Sequence, residues 1–139
     1  MQTIVVGVDG SKHGEAALEF AAQEAALREA RLLIVYVWQL PPIIAPEGVY
    51  PTEVFQSVRD EAEGVIQRAV ARVAEVQPQV ACDGKAIEGQ PAAVLLEEAQ
   101  GADMIVVGSR GHGGFASLLL GSVSQQIVHH APCPVVIVR

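Results

Sequence analysis

Glycine and serine recur at a fixed spacing in the last quarter of the chain, where Gly108 and Gly111 precede Gly121-Ser122 in the pattern Gly-x2-Gly-x9-Gly-Ser. The pattern follows an apolar run over residues 104–107 and leads into a helix-like stretch. Because glycine has no Cβ, such a turn lets backbone N–H groups approach an anion. The start of the next helix adds further donors and the positive end of a dipole. The spacing therefore predicts a turn that binds phosphate.

A second group of small and polar residues follows the first apolar run, in the order Gly7-Val8-Asp9-Gly10-Ser11. Ser11 is a suitable N-cap for the Ala-rich helix that this group precedes. Asp9 has two compatible interpretations, as a second capping residue or as a carboxylate that meets a ligand.

Apolar β-branched runs alternate with amphipathic stretches along the whole chain. The alternation predicts strands over residues 3–8, 32–38, 80–87, 104–107 and 135–138, and helices over residues 12–29, 54–76, 91–100 and 116–130. Near-continuous apolar strands separated by helices indicate an α/β fold, here a doubly wound open parallel five-stranded sheet with helices on both faces. Right-handed crossovers favour the strand order 3-2-1-4-5.

Ligands of such sheets bind beyond the carboxyl ends of the strands, where the direction of winding reverses. In the predicted order that point lies between strands one and four, so Asp9 and the glycine pattern are expected to meet in one crevice. Residues 39–51 include Pro41, Pro42, Pro46 and Pro51 and lack periodicity. They are either a surface loop or a segment beside the crevice that contacts a partner.

Composition limits the classes of protein that the chain can belong to. The 139 residues carry a net charge of −7, which disfavours a nucleic-acid partner, and their length predicts one domain over residues 1–139. No apolar run approaches the ~20 residues of a membrane span. No signal sequence precedes the first strand, and the two cysteines suit a reducing compartment, so we expect a cytoplasmic protein.

Several common chemistries lack their motifs. The chain has no Gly-x4-Gly-Lys-Ser/Thr loop, and its first strand is not followed by a third glycine at the Rossmann step. No Ser-His-Asp or Cys-His group can be assigned, so no catalytic residue is predicted. His129, His130 and Cys133 have no further ligand cluster to support a metal site, and histidine is favoured at a helix C-terminus in any case. Cys82 and Cys133 are expected near opposite sheet edges, too far apart for a disulfide.

The chain resembles the universal stress proteins over its full length, and within them the subgroup that binds ATP. The resemblance rests on residues 4–11, Gly89-Gln90-Pro91, residues 103–111, Gly121-Ser122-Val123-Ser124 and residues 131–138. The subgroup's nucleotide signature is Gly-x2-Gly-x9-Gly-Ser/Thr, and every fixed position of it is filled here.

The resemblance implies a nucleotide site in the expected crevice. Asp9 would meet the ribose or the base, and Val37 would line the adenine. Phosphate and ribose would lie against the glycine turn, where Arg110 is either a phosphate contact or a solvated surface charge. The full set of expected ligand contacts is Val8, Asp9, Gly10, Ser11, Val37, Val107, Gly108, Arg110, Gly111, His112, Gly121, Ser122, Val123 and Ser124.

The resemblance also implies a stress-response regulatory protein that binds ATP, an unidentified protein partner, and a homodimer formed through the strand Val135–Val138. The resemblance leaves open whether the ligand is instead AMP, ADP or cyclic AMP, and whether Mg²⁺ accompanies it. Two alternatives remain. One is a slow ATPase or self-phosphorylating enzyme, with Ser122 or Ser124 as acceptor. The other is an interaction module without a nucleotide.

Overall fold

Five parallel strands form one sheet in the order β3-β2-β1-β4-β5, which confirms the predicted α/β fold and its strand order. The computed structural model describes residues 2–40, 51–110 and 120–139. Its elements are β1 (Thr3–Val8), α1 (Lys12–Arg28), β2 (Arg31–Trp38), α2 (Thr52–Val76), β3 (Cys82–Glu88), α3 (Pro91–Glu98), β4 (Met104–Gly108), α4 (Ser122–His130) and β5 (Val135–Val138).

The central strands are apolar on both sides because helices cover both faces of the sheet. Along β1, Ile4 and Val6 pack with α1 and α2, while Val5 packs on the side of α3 and α4. Val106 and Val107 of β4 divide between the same two clusters. The alternation of side chains along each strand thus builds two cores, one on each face.

Two element boundaries differ from the sequence prediction for local reasons. The strand β3 begins at Cys82 and not at Val80, because residues 78–79 form a turn in which the Val80 N–H donates to the Gln77 carbonyl at 3.0 Å. Within the strand, Gly84 packs closely on α2, where a Cβ would lie 2.5 Å from the Ile66 Cγ2 atom. The helix α4 begins at Ser122, and Leu120 and Gly121 are not helical. The predicted start at residue 116 lies outside the described residues, but a continuous helix over residues 116–130 is wrong.

Residues 41–50 of the proline-rich connection, which was predicted as a surface loop or a partner contact, lie outside the described residues. Cys82 and Cys133 are both free thiols, and they lie in β3 and just before β5, at opposite edges of the sheet. Within the described ranges, no helix is both long and apolar enough to cross a membrane.

Candidate functional site

The carboxyl ends of β1 and β4 lie side by side, since Val6 pairs with Val106 in the parallel register. Beyond these ends lie three segments that we call the crevice, residues 7–11, 108–110 and 121–124. The fold therefore brings the two predicted groups together at the point where the strand order reverses. Gly111 and His112, which were also predicted as ligand contacts, lie outside the described residues.

On the β1 side of the crevice, Asp9 and Ser11 form a small hydrogen-bonded turn. The Asp9 Oδ1 atom accepts from the Ser11 backbone N–H at 2.9 Å and from the Ser11 hydroxyl. The Ser11 Oγ atom in turn accepts from the Gly14 N–H at 3.2 Å, so Ser11 is the N-cap of α1, as predicted. Gly10 has a φ of +82°, a conformation that favours glycine. The turn fixes the Asp9 carboxylate at the start of the helix.

On the β4 side, Ser109 holds the end of the strand to the start of α4. Its N–H donates to the Val138 carbonyl at 2.7 Å, and its own carbonyl accepts from the Gly121 N–H at 2.7 Å. The Ser124 hydroxyl also donates to that carbonyl, at 3.0 Å, and Ser109 is only 2% exposed. Sequence reasoning did not include Ser109 in the site, although its place inside the Gly-x2-Gly motif was a usable signal.

The two glycines of the crevice that the structure describes on this side differ in what surrounds them. A Cβ at Gly108 would lie 2.8 Å from the His13 carbonyl oxygen and 2.9 Å from its carbonyl carbon. Close packing of α1 therefore requires Gly108. Among the residues that the structure describes, a Cβ at Gly121 would meet no atom nearer than the Arg110 Cα at 3.5 Å, and Gly121 has an extended backbone with φ −74° and ψ 168°. The described part of the protein would accept a side chain at Gly121.

The helix α4 begins with no side-chain cap, because its N-cap residue is Gly121. By contrast, Ser11 caps α1 and Gln90 caps α3 through their side chains. Ser122 is exposed, whereas the Ser124 hydroxyl is buried and lies 3.0 Å from both the Ser109 and the Gly121 carbonyl oxygens. The first turn of α4 therefore presents backbone N–H groups and one exposed hydroxyl to the crevice.

The apolar residues predicted for the site divide between the two faces of the sheet. Val37 and Val107 belong to the core on the side of α3 and α4, and Val8 belongs to the core on the side of α1 and α2. Val37 and Val8 are half-buried, and so is Arg110, which follows β4. Of these three strand residues, only Val37 and Val107 share a face of the sheet, and Val123 of α4 packs on that same face.

Tyr36 is a further group near the crevice that the sequence prediction did not include. It pairs with Val8 in the register of β1 and β2. Burial raises the pKa of Tyr36 above its ordinary value of 10.0, and the negative charges of Glu61 and Asp9 add to that effect. The Tyr36 hydroxyl therefore stays protonated at neutral pH. No spacing in the sequence links Glu61, in α2, to this position.

A groove of about 510 Å³ lies between α1 and α2. Its floor consists of Val8, Leu18, Val65 and Ala69, and we call it the α1–α2 groove. It reaches Gly10 at the end of β1 but includes no residue of β4 or α4. The groove therefore shares Val8 and Gly10 with the β1 side of the crevice and is separate from its β4 and α4 side.

Comparison with known proteins gives a consistent match over the full length. The model of the universal stress protein family matches residues 1–139. A universal stress protein of Thermus aquaticus is 38% identical over 140 residues, which cover 99% of this chain and 98% of the relative. Among mycobacterial relatives, the chain matches a Mycolicibacterium smegmatis universal stress protein but covers only 45% of its length.

Solved structures agree with that match. The universal stress protein UspA of Lactobacillus plantarum superposes with a TM-score of 0.87 at 25% identity, covering 99% of this chain and 97% of that chain. A universal stress protein in complex with cAMP superposes with a TM-score of 0.74 at 28% identity, covering 99% and 96% of the two chains.

Proposed function

Because the chain belongs to the universal stress protein family, we propose that it binds an adenine nucleotide in the crevice and acts as a homodimeric stress-response regulator. The first ligand that we propose is ATP, with the phosphates at the start of α4. The observation that carries the proposal is the environment of Gly121.

Gly121 lacks an explanation within the described structure. Its backbone dihedrals suit any residue, and the nearest described atom to a Cβ there would be 3.5 Å away, an ordinary contact distance. A side chain at residue 121 would lie beside the first turn of α4, which begins at Ser122. An anion bound in that space would account for the glycine, since it would use the N–H donors and the dipole of the helix.

Several described residues suit the parts of a nucleotide site. The N–H groups of Ser122 and Val123 would donate to phosphate oxygens, together with the exposed Ser122 hydroxyl. The Ser124 hydroxyl already donates to backbone carbonyls, so its expected role is to hold the turn, while its N–H would donate to the phosphate. Arg110 would offset part of the phosphate charge, and Asp9 would accept from the ribose or the base.

The purine would lie against the apolar side of the crevice. Val37 and Val107 share the face of the sheet that α3 and α4 cover, which suits one side of a flat apolar ring. The relative that was solved with cAMP is 28% identical to this chain. It supports an adenine nucleotide as the class of ligand, and it makes cyclic AMP the main alternative to ATP as the ligand of this chain.

Identification of the ligand comes first. The protein is purified without added nucleotide and denatured, and released small molecules are identified by chromatography and mass spectrometry. We expect near-stoichiometric adenine nucleotide, and the number of phosphates distinguishes ATP from ADP, AMP and cyclic AMP. If the protein releases no nucleotide and binds none of the four in calorimetry, the proposed function is wrong.

A glycine pair then tests the placement of the ligand. We expect Gly121→Ala to weaken ATP binding at least about tenfold, because the methyl group displaces phosphate from charge-assisted N–H donors. Gly64→Ala is the matched control, since Gly64 lies in α2 away from α4, and it should leave the affinity unchanged. Equal ATP affinity in Gly121→Ala and the wild type would place the nucleotide elsewhere.

A further inference from the structure

Two pairs of opposite charges line the α1–α2 groove, one helical turn apart. Glu19 of α1 and Arg72 of α2 form an ion pair across the groove, with the Glu19 Oε1 and Arg72 Nη2 atoms 3.2 Å apart. Four residues earlier on each helix, Glu15 and Arg68 also line the groove. Within residues 2–40, 51–110 and 120–139, no ion pair or side-chain hydrogen bond involves Glu15 or Arg68. The groove is thus bridged by an ion pair at Glu19 and Arg72, whereas no ion pair bridges it at Glu15 and Arg68.

The Arg68 side chain, which lines the groove, lies back along α2 with its guanidinium beside Gly64. Its Nη1 atom would be 3.2 Å from a Cβ at Gly64, which lies one turn earlier in α2. Because Gly64 has no side chain, the guanidinium can lie along the surface of the helix there. Arg68 is therefore placed to bind an anionic group in the groove, and its guanidinium suits a carboxylate in particular.

The charges of the lining restrict the kind of ligand. Two glutamates and two arginines line the groove, so its formal charge is zero. A simple carboxylate bound at Arg68 would lie near the Glu15 carboxylate and be repelled by it, and an amine bound at Glu15 would be repelled by Arg68. A molecule with an ammonium and a carboxylate satisfies both, and Val8, Leu18 and Val65 offer an apolar surface to its remaining atoms.

We propose that the α1–α2 groove binds a small aliphatic zwitterion, with its carboxylate on Arg68, its ammonium on Glu15 and its apolar chain on the valine and leucine floor. The volume of about 510 Å³ lies within the range of small-molecule sites. The groove shares Val8 and Gly10 with the residues expected to contact the nucleotide, but it shares none of the β4 and α4 residues that would bind the phosphates.

Methyl NMR on protein labelled at valine and leucine observes the floor directly. L-leucine is the probe, and two matched analogues each lack one charge, 4-methylpentanoate without the ammonium and 3-methylbutylamine without the carboxylate. We expect saturable shifts of the Val8, Leu18 and Val65 methyl signals with L-leucine, with no change at Val135 in β5. Both analogues should bind at least about tenfold more weakly. Equal binding of either analogue, or the absence of shifts with all three compounds, would overturn the proposal.

Substitutions at the charges provide the second arm of the test. We expect Arg68→Gln and Glu15→Gln each to weaken L-leucine binding at least about tenfold, while the exposed α2 residue Arg59 gives the matched control Arg59→Gln with unchanged binding. Unchanged affinity in both groove variants would show that the charges are only solvated. Gly121→Ala should leave the L-leucine shifts intact, so failure of the nucleotide proposal is distinguishable from failure of this one.

Discussion

Gly108 shows how one atom can decide whether the sheet and α1 fit together. The His13 backbone occupies the position that a Cβ would need, with its carbonyl oxygen at 2.8 Å. Neither partner can yield by rotation of a side chain, because the oxygen belongs to the first turn of α1 and Gly108 ends β4. The helix would have to move away from the strand to admit a methyl group.

We predict that Gly108→Ala lowers the free energy of unfolding by about 2 kcal/mol, the usual range for overpacking. Gly121→Ala, in the same motif, should change it by less than about 0.5 kcal/mol, because its methyl group meets only ordinary contacts among the described residues. Urea denaturation followed by circular dichroism measures both. Similar losses in the two variants would contradict the different packing that the structure gives these glycines.

Cys82 should be an unreactive thiol in the folded protein. Burial in β3, with a smaller effect from the Asp83 carboxylate, raises the pKa of Cys82 from 9.0 to about 11. The unfolded chain therefore loses this proton at lower pH than the folded protein. The stability that comes from the neutral thiol is fully present below pH 9 and is lost as the pH rises from about 9 to about 11.

The rate of carbamidomethylation by iodoacetamide tests this prediction in a Cys133→Ser background. We expect the rate for folded protein to rise with a midpoint near pH 11, and the rate in urea to rise near the ordinary pKa of 9.0, since the thiolate is the nucleophile. The Cys82→Ser, Cys133→Ser protein is the blank. If the folded and unfolded protein give the same pH profile, the fold does not raise the pKa of the Cys82 thiol and the prediction is wrong.

At the scale of the elements, the C-terminal end of α1 has a residue other than glycine in a strained backbone conformation. Glu29 adopts a left-handed conformation with φ 54° and ψ 40°. The Ala30 N–H donates to the Ala25 carbonyl at 2.9 Å, and the Glu29 N–H donates to the Ala26 carbonyl at 3.4 Å. These are the bonds of a Schellman motif, in which glycine is the usual residue. The negative side chain also lies at the negative end of the helix dipole.

We predict that Glu29→Gly raises the free energy of unfolding by about 1 kcal/mol, since it removes the left-handed strain and the unfavourable charge. Thermal and urea denaturation measure the change. Glu29→Ala separates the two causes, because it removes the charge and keeps the strain. If alanine stabilises as much as glycine, the backbone conformation is not the source.

The elements also show which features a sequence can predict. Strands β1 and β4 were predictable because helices cover both of their faces. Their residues therefore form continuous apolar runs, which are typical of buried parallel strands. The start of α4 was not, because it depends on the hydrogen bond from the Gly121 N–H to the Ser109 carbonyl, which leaves Gly121 as an extended N-cap and which only the folded chain shows. The separate roles of Gly108 and Gly121 were equally inaccessible, because they depend on the distance to α1, which only the folded chain defines.

At the scale of the whole molecule, the two edges of the sheet differ in charge. The edge strand β3 carries Asp83, Lys85 and Glu88, charges that discourage pairing with another strand. The opposite edge strand β5 is Val135–Val138, without a charged residue and with all four side chains half-buried. A second copy of the chain that pairs there would satisfy the free backbone groups and cover the apolar side chains. We therefore place the proposed homodimer at β5.

We predict that Val136→Lys shifts the protein from dimer to monomer in sedimentation velocity, because a lysine in the centre of β5 would be desolvated by strand pairing. Glu88→Lys in β3 is the matched control, since it introduces the same side chain at the other edge, and it should remain dimeric. Circular dichroism establishes that both variants are folded. A dimer that persists in Val136→Lys but dissociates in Glu88→Lys would move the interface to β3.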